Sequence, residues 1–277
     1  MKSILYFSMV ILLFYSCQLD QENNENFNSK PPKINEQKNE IDSIALPIIE
    51  QVDSNALLFN IDFNQFISKI DSSYAVPYLL DSNTVERIDD IQNEESNLTA
   101  NEVKYLSSQL VENKPTSWNS YQITTFLKLD SLKNNGKYEN YLDDLDIGMM
   151  ARSNANLYAK INVSDSLFMV LWYINYSTYE ACPFSAGTVI FGTLFNNSKA
   201  LNTSVLGEVS GGGDAPYWGS TFVTSQIELT QMKILRIDLQ GEGDLDENEE
   251  EIVTTETEEY QLKITKNGFE TVGKQKL

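Results

Sequence analysis

The densest concentration of chemically useful residues is Ser210-Gly211-Gly212-Gly213-Asp214-Ala215-Pro216-Tyr217-Trp218-Gly219. Consecutive glycines let a backbone turn sharply or come close to a ligand, and Tyr217 and Trp218 set two rings beside the Asp214 carboxylate. Aromatic faces stack on sugars or peptides, and a carboxylate hydrogen-bonds a hydroxyl or an amine. The stretch therefore reads as a ligand-binding loop built from Asp214, Tyr217 and Trp218. No Gly-Lys-Ser/Thr follows, which removes a phosphate loop. The strand–turn–helix setting of a dinucleotide fingerprint is missing as well. The plainer and favoured reading is a long strand connection whose Trp218 folds back onto the sheet, since buried tryptophan and glycine loops are both generic.

Glu180-Ala181-Cys182-Pro183-Phe184 is the second stretch. A reactive Cys182 thiol needs a neighbouring cation, a helix N-terminus or a metal, and no Lys or Arg lies near it in sequence. A buried, inert cysteine is the expectation. Histidine is absent from the whole chain, which excludes Ser-His-Asp and Cys-His nucleophiles and histidine zinc sites. Paired carboxylates can still run glycoside hydrolysis, and Glu180 with Asp214 is the weak candidate pair. Calcium would suit the oxygen-rich runs Asp143, Asp144, Asp146 and Glu242 to Glu251, but neither follows an EF-hand: counted from Asp244, position six is Glu249 and position twelve is Thr255. Solvated acidic loops are the simpler expectation, so no cofactor is implied.

These residues must be held by elements that the hydrophobic pattern outlines. Phe63, Phe66, Ile67 and Ile70 form one helical stripe. Thr99-Ala100-Asn101-Glu102 is a capping box opening a helix with Val103, Leu106 and Leu110 on one face. Ile123, Phe126, Leu127 and Leu132 fit a helix or a strand, broken at Asn134-Asn135-Gly136. Beyond about 151 the period changes to two. Leu157 to Val163 and Leu167 to Tyr176 flank Ser164-Asp165-Ser166 as a hairpin, and the second run is apolar on both faces, as a covered central strand is. Further strands fit 187–195, 201–210, 219–230 and 233–240. Leu235, Ile237 and Leu239 alternate with Arg236 and Asp238, and Asn267-Gly268 marks a final hairpin. The expected class is α+β, mainly β in the C-terminal half. An antiparallel β-meander (a curled sheet, small barrel or sandwich) would carry N-terminal helices packed at one side.

The N-terminus, MKSILYFSMVILLFYSC, has Lys2 before an apolar run too short to span a bilayer as a helix, then Ser16 and Cys17. Leu13-Phe14-Tyr15-Ser16-Cys17 resembles the lipobox of bacterial lipoproteins, departing from the common pattern at Tyr15. The resemblance implies cleavage before Cys17 by signal peptidase II, diacylglycerol on the Cys17 thiol and an acylated new N-terminus. Buried acyl chains contribute about 0.8 kcal/mol per methylene, so several of them hold a protein stably on a membrane. Gln18 rather than aspartate follows the cysteine, which in the enterobacterial sorting rule directs a lipoprotein outward to the outer membrane. The acidic residues just behind it resemble the export tag of some surface-displayed lipoproteins.

The organisation expected is a signal peptide at 1–16, a lipidated Cys17 with a polar tether over 17–49, a mostly helical region over 50–150 and an antiparallel β domain over 151–277. The tether composition cannot bury enough apolar surface to fold. A formal net charge of −20, from 40 Asp+Glu against 20 Lys+Arg, excludes nucleic acid as a partner. The functional expectation is a lipid-anchored envelope protein that binds a partner protein or a glycan without catalysis. A carboxylate-based glycoside hydrolase and a calcium-dependent adhesion module are the alternatives.

Overall fold

Eight strands in succession hydrogen-bond to their sequence neighbours because the chain after Met150 alternates at period two and is broken only by short polar turns. A computed structural model describes residues 54–88, 94–108, 110, 119–145, 149–178, 184–214, 217–242 and 252–277. The chain divides into two units, 1–48 and 49–277, and every described residue belongs to the second. Two short strands come first, β1 (Ser73–Ala75) and β2 (Tyr78–Leu80). The meander follows: β3 (Met150–Asn162), β4 (Leu167–Thr178), β5 (Phe184–Asn196), β6 (Lys199–Asp214), β7 (Tyr217–Ile227), β8 (Gln231–Glu242), β9 (Ile252–Thr265) and β10 (Gly268–Lys276).

The sheet order is β1-β3-β4-β5-β6-β7-β8-β9-β10, antiparallel from β3 onward, with β1 added parallel to β3 and β2 pairing on β7. β1 and β10 do not pair, so the sheet is an open curl rather than a closed barrel. The curl brings its last strand back beside the middle of the sheet. Asn202 on β6 accepts from the Phe269 amide on β10 at 2.9 Å and donates to the Phe269 carbonyl at 3.3 Å. β6 and β7 pair only from Glu208/Val223 to Asp214/Tyr217 and then diverge. β2 takes the vacated edge of β7 at Ser225 to Ile227. Leu80 and Val85 lie so close to Gly207 that a side chain there would press on both.

Six α-helices are described, with a short 3-10 turn at Glu94–Ser96: α1 (Ser54–Leu58), α2 (Phe63–Ser68), α3 (Ser82–Ile88), α4 (Ala100–Ser107), α5 (Asn119–Asn134) and α6 (Tyr138–Asp143). Asp62 caps α2 by accepting from the Asn64 and Gln65 amides at 3.1 Å. The expected capping box forms at α4: Thr99 Oγ1 accepts from the Glu102 amide at 3.3 Å, and Glu102 Oε2 accepts from the Thr99 amide at 2.8 Å. Glu102 also pairs with Lys69 at 2.6 Å, tying α4 to the end of α2. The segment left open between helix and strand is helix α5. It ends where Gly136 adopts φ +64°, a conformation glycine takes without a Cβ penalty.

Trp172 on β4 centres the core. It is fully buried, stacks on Phe191 of β5 at 4.3 Å, and donates from Nε1 to Thr193 Oγ1 at 3.0 Å. The hydroxyls of Thr193 and Thr203 in turn donate to the Leu106 carbonyl at the end of α4, at 3.3 and 2.5 Å. Phe63 of α2 and Tyr105 of α4 pack on Phe195. Burying side chains of this size contributes roughly 1.5–3 kcal/mol each, so the helices hold to the sheet chiefly through this aromatic layer. Among the described residues no helix is long and apolar enough to cross a membrane.

Three details differ from the expectation: Leu110 lies beyond the end of α4, in an isolated bridge to Thr203, and two concern the turns of the sheet. The final hairpin turns on Lys266-Asn267, with Gly268 already paired to Thr265, so the turn sits one residue early. The glycine run is not a loop: β6 continues through Gly211, Gly212 and Gly213 to Asp214, and β7 begins at Tyr217. Glycine disfavours strands through its entropy and its lack of a side chain to pack. Here the absence of Cβ atoms is what the strand requires, since a side chain on Gly212 would collide with the Phe184 carbonyl and one on Gly213 with the Tyr217 carbonyl.

Candidate functional site

Side chains directly opposite one another in an antiparallel sheet share a face, and successive residues alternate. The face that carries Trp172 and Phe191 against α4 is the core-side face. Followed down β4 to β9 toward the end where Tyr217 lies, its rows are Ile174–Val189–Glu208–Val223–Arg236–Glu258, then Tyr176–Gly187–Ser210–Thr221–Asp238–Glu256, then Ser185–Gly212–Gly219–Gln240. The apolar core thus gives way, within two rows, to small and polar residues.

Glu208 sits at that transition, only 5% exposed. Ser210 Oγ donates to its Oε1 at 2.6 Å, while Oε2 is buried with no hydrogen-bond partner. Burial raises the Glu208 carboxyl above the ordinary carboxylate range; the Ser210 hydrogen bond and the Arg236 charge oppose this, and Asp238 adds to it. Tyr176, two residues below Ile174 on β4, has its phenol raised first by burial and then by the Glu208 charge. Hydrogen bonding to the phenolate oxygen by the Ser210, Gln122 and Ser185 side chains acts the other way. Gln122 reaches this cluster from the first turns of α5, and its Oε1 is likewise buried without a partner.

Across the next strands Arg236 holds Asp238 with Nε at 2.7 Å and Nη2 at 2.9 Å, and Thr221 Oγ1 donates to the same carboxylate at 2.7 Å. Burial would lower the guanidinium's pKa, but Asp238, with the Glu208 charge, carries it upward. Glu258 is held below the usual carboxylate range, first by Lys274 at 2.7 Å and then by the Tyr260 hydroxyl. The patch is a set of charges matched in pairs, with the Glu208 carboxyl left half-satisfied at its buried end.

The opposite face of the same strands carries more of the large apolar side chains, interspersed with Ser220, Thr224, Thr255 and Thr257. Phe184, Gly213, Trp218, Gly241 and Val253 form one row, and Leu235, Ile237 and Leu239 continue up β8. Phe184 is 45% and Val253 47% exposed. The Trp218 indole lies directly on Gly241, where any side chain would run into the ring. The alternation of Leu235, Ile237 and Leu239 with Arg236 and Asp238 is therefore present, but the charged pair occupies the face that continues from buried Met232 and Ile234.

Of the residues singled out from sequence, Tyr217 and Trp218 are adjacent but on opposite faces. Tyr217, 61% exposed, lies on the core-side face below Gly219, while Trp218 lies on the other. Asp214 is the register partner of Tyr217; its side chain lies outside the described residues, as do Glu180, Cys182, Asp146, residues 243–251 and Cys17. Glu180 and Asp214 are accordingly not described as a pair. Among the described residues no group of three or more Cys, Asp or Glu side chains is placed to hold a metal ion. Glu208, Tyr176, Gln122 and Arg236 were missed from sequence. The signal that points to them is the run Glu208, Ser210, Gly212 on alternate positions, opposite Gly219 and Thr221, with no large apolar side chain among those five. Comparison with protein families, curated proteins and solved structures finds no match.

Proposed function

We propose that this chain is a lipid-anchored protein of the cell envelope, moored at the outer membrane through Cys17, whose β-rich unit is a non-enzymatic binding module for a glycan or a partner protein. The lipobox resemblance supports the mooring. The observation that carries the binding reading is Tyr217: an aromatic ring 61% exposed at a strand end, in line on one face with a glycine-lined, polar stretch. Such a ring offers a flat apolar face with a polar tip, the combination that sugars and peptide backbones pack against. The unit works without a cofactor in this reading.

Native material carrying Cys17→Ser or Tyr217→Ala tests the two halves separately. Metabolic labelling with a fatty-acid probe should mark the wild type and leave Cys17→Ser unlabelled. Glycan-array and pull-down signals should fall for Tyr217→Ala while its melting temperature holds. Equal signals from Tyr217→Ala and the wild type would remove the binding site from this strand end.

A further inference from the structure

The outer edge of β3 is covered in stages by other parts of the chain. β1 runs along it at Lys160 to Asn162. Earlier on the strand, the Leu98 amide donates to the Ala155 carbonyl at 2.9 Å, within an antiparallel bridge of Asn97 to Asn156. At the start, the Tyr138 and Tyr141 hydroxyls donate to the Ala151 and Met150 carbonyls at 2.6 and 2.9 Å. Between the tyrosines and Leu98 the edge is bare. Main-chain groups along a strand point alternately to either side, so Ser153 faces outward as Ala155 does, away from β4. Its amide and carbonyl have no partner among the described residues, and its hydroxyl has none either. Ser153 is only 3% exposed, and main-chain groups so buried are nearly always paired.

The gap has a cause in the sequence. The segment ending at Leu98 runs antiparallel to β3, and its continuation would lie opposite Ser153. Thr99 caps α4 instead and turns the chain away. A cleft of about 170 Å³ stands in the vacated place, walled by Ser153 and Ala155 of β3, by Leu98, and by Phe126, Asp130 and Lys133 of α5. That is far more than the roughly 10–15 Å³ that seats one water. Leu98 is set opposite Ala155, on the face that Ser153 shares. A residue placed opposite Ser153 would therefore carry its side chain in line with Leu98, on the side where α5 packs.

We infer that this cleft takes a short peptide, free or at the end of a partner chain, one residue of which lies opposite Ser153 and exchanges both main-chain hydrogen bonds with it. An outward N–H and C=O on one strand residue match the C=O and N–H of a single amino-acid residue, the unit by which a peptide adds to a sheet edge. The covers at Ala151 and Ala155 confine the pairing to that one residue, so a long added strand does not fit. Leu98, Phe126 and Ala155 suit a small uncharged side chain there. Asp130 and Lys133 bring opposite charges, as the two ends of a free tripeptide do. One Asp130 oxygen already accepts from Asn134 at 2.8 Å, and the Lys133 nitrogen lies 5.1 Å from the Tyr138 ring centre. The cleft is on β3, four strands along the sheet from the β7 end that carries Tyr217, so it stands or falls separately from the binding reading above.

Titration of the full chain in detergent micelles with trialanine, and with trialanine N-methylated at its central residue, tests this by NMR through the Ser153 and Ala155 amide signals. The methyl group removes the N–H that would donate to the Ser153 carbonyl and leaves the protein untouched. Trialanine should shift both signals, and the methylated peptide should bind roughly tenfold or more weakly. Ser153→Pro deletes the protein's own donor at an edge position where proline is tolerated, and should lose binding at an unchanged melting temperature. Should that variant fail to fold, the comparison of the two peptides on the wild type still decides. No binding of trialanine, equal affinity for both peptides, or shifts confined to signals away from β3 would each overturn the inference, and the cleft would then hold water alone.

Discussion

Replacing Glu208 by glutamine probes the electrostatics of the core-side face with little change of shape. The carboxyl is 5% exposed, with one oxygen bonded to Ser210 and the other unmatched. Burial raises its folded-state pKa above that of the unfolded chain. Between those two values the native state binds more protons than the unfolded one. The stability this supplies is full below the unfolded pKa and is lost as pH rises through the folded value. Above it the fold contains a buried carboxylate that Arg236 balances only partly, its guanidinium being occupied by Asp238. Glutamine keeps an acceptor for Ser210 and carries no charge. The stability difference between variant and wild type is therefore small near pH 4 and grows with pH, to about 1–3 kcal/mol in favour of Glu208→Gln near pH 8. For a unit of this size that is roughly 2–4 °C in melting temperature per kcal/mol. Urea denaturation across the pH range measures it. The exposed substitution Glu270→Gln serves as control, since it relieves the same amount of self-repulsion in a chain of net charge −20. A Glu208→Gln protein less stable than wild type at high pH, or a difference that does not vary with pH, would refute the placement of this carboxyl.

Two further outcomes follow from local geometry. Thr99→Ala removes the side-chain half of the capping box on α4 and leaves the Glu102 amide without its acceptor, so denaturant midpoints should fall by the equivalent of about 1 kcal/mol. Gly241→Val would push the Trp218 indole off the sheet. Tryptophan emission should shift to the red and become more accessible to iodide, whereas an unchanged spectrum would contradict the stacking of that ring on Gly241.

The elements were legible where a single physical signal dominated. The Thr99–Glu102 box, the period-two alternation after 151 and the doubly apolar run of β4 each depend on local chemistry that the sequence displays directly. What escaped depends on relations between strands. The glycine run reads as a loop because its lack of side chains looks like conformational freedom. In the sheet that same lack answers a need for close approach to Phe184 and Tyr217, which no local pattern announces. Tyr217 and Trp218 read as one aromatic pair because they are neighbours, yet adjacency in a strand is what separates them onto opposite faces. Glu208 drew no notice for the same reason. It is one acidic residue among 40 Asp and Glu, and only the register with Val223 and Arg236 sets it at the edge of the core.

The register also explains why charge and grease exchange places along β8. Near its start, Met232 and Ile234 point to the core while Gln231 and Lys233 are exposed, an ordinary half-buried strand. Four residues on, the core-side positions hold Arg236 and Asp238, and the other face holds Leu235, Ile237 and Leu239. A sheet built for stability alone gains nothing from this exchange, because burying a guanidinium and a carboxylate costs more hydration than their pairing returns unless further hydrogen bonds complete them. Thr221 supplies one such bond to Asp238 and Ser210 one to Glu208 Oε1, while Glu208 Oε2 has none. The strand pattern continues unbroken while its chemistry inverts, and the inversion begins in the row where the unmatched carboxyl lies. The exchange is thus held by the Arg236–Asp238 pair and the Thr221 bond, with Ser210 on one oxygen of Glu208 and the other oxygen buried without a partner.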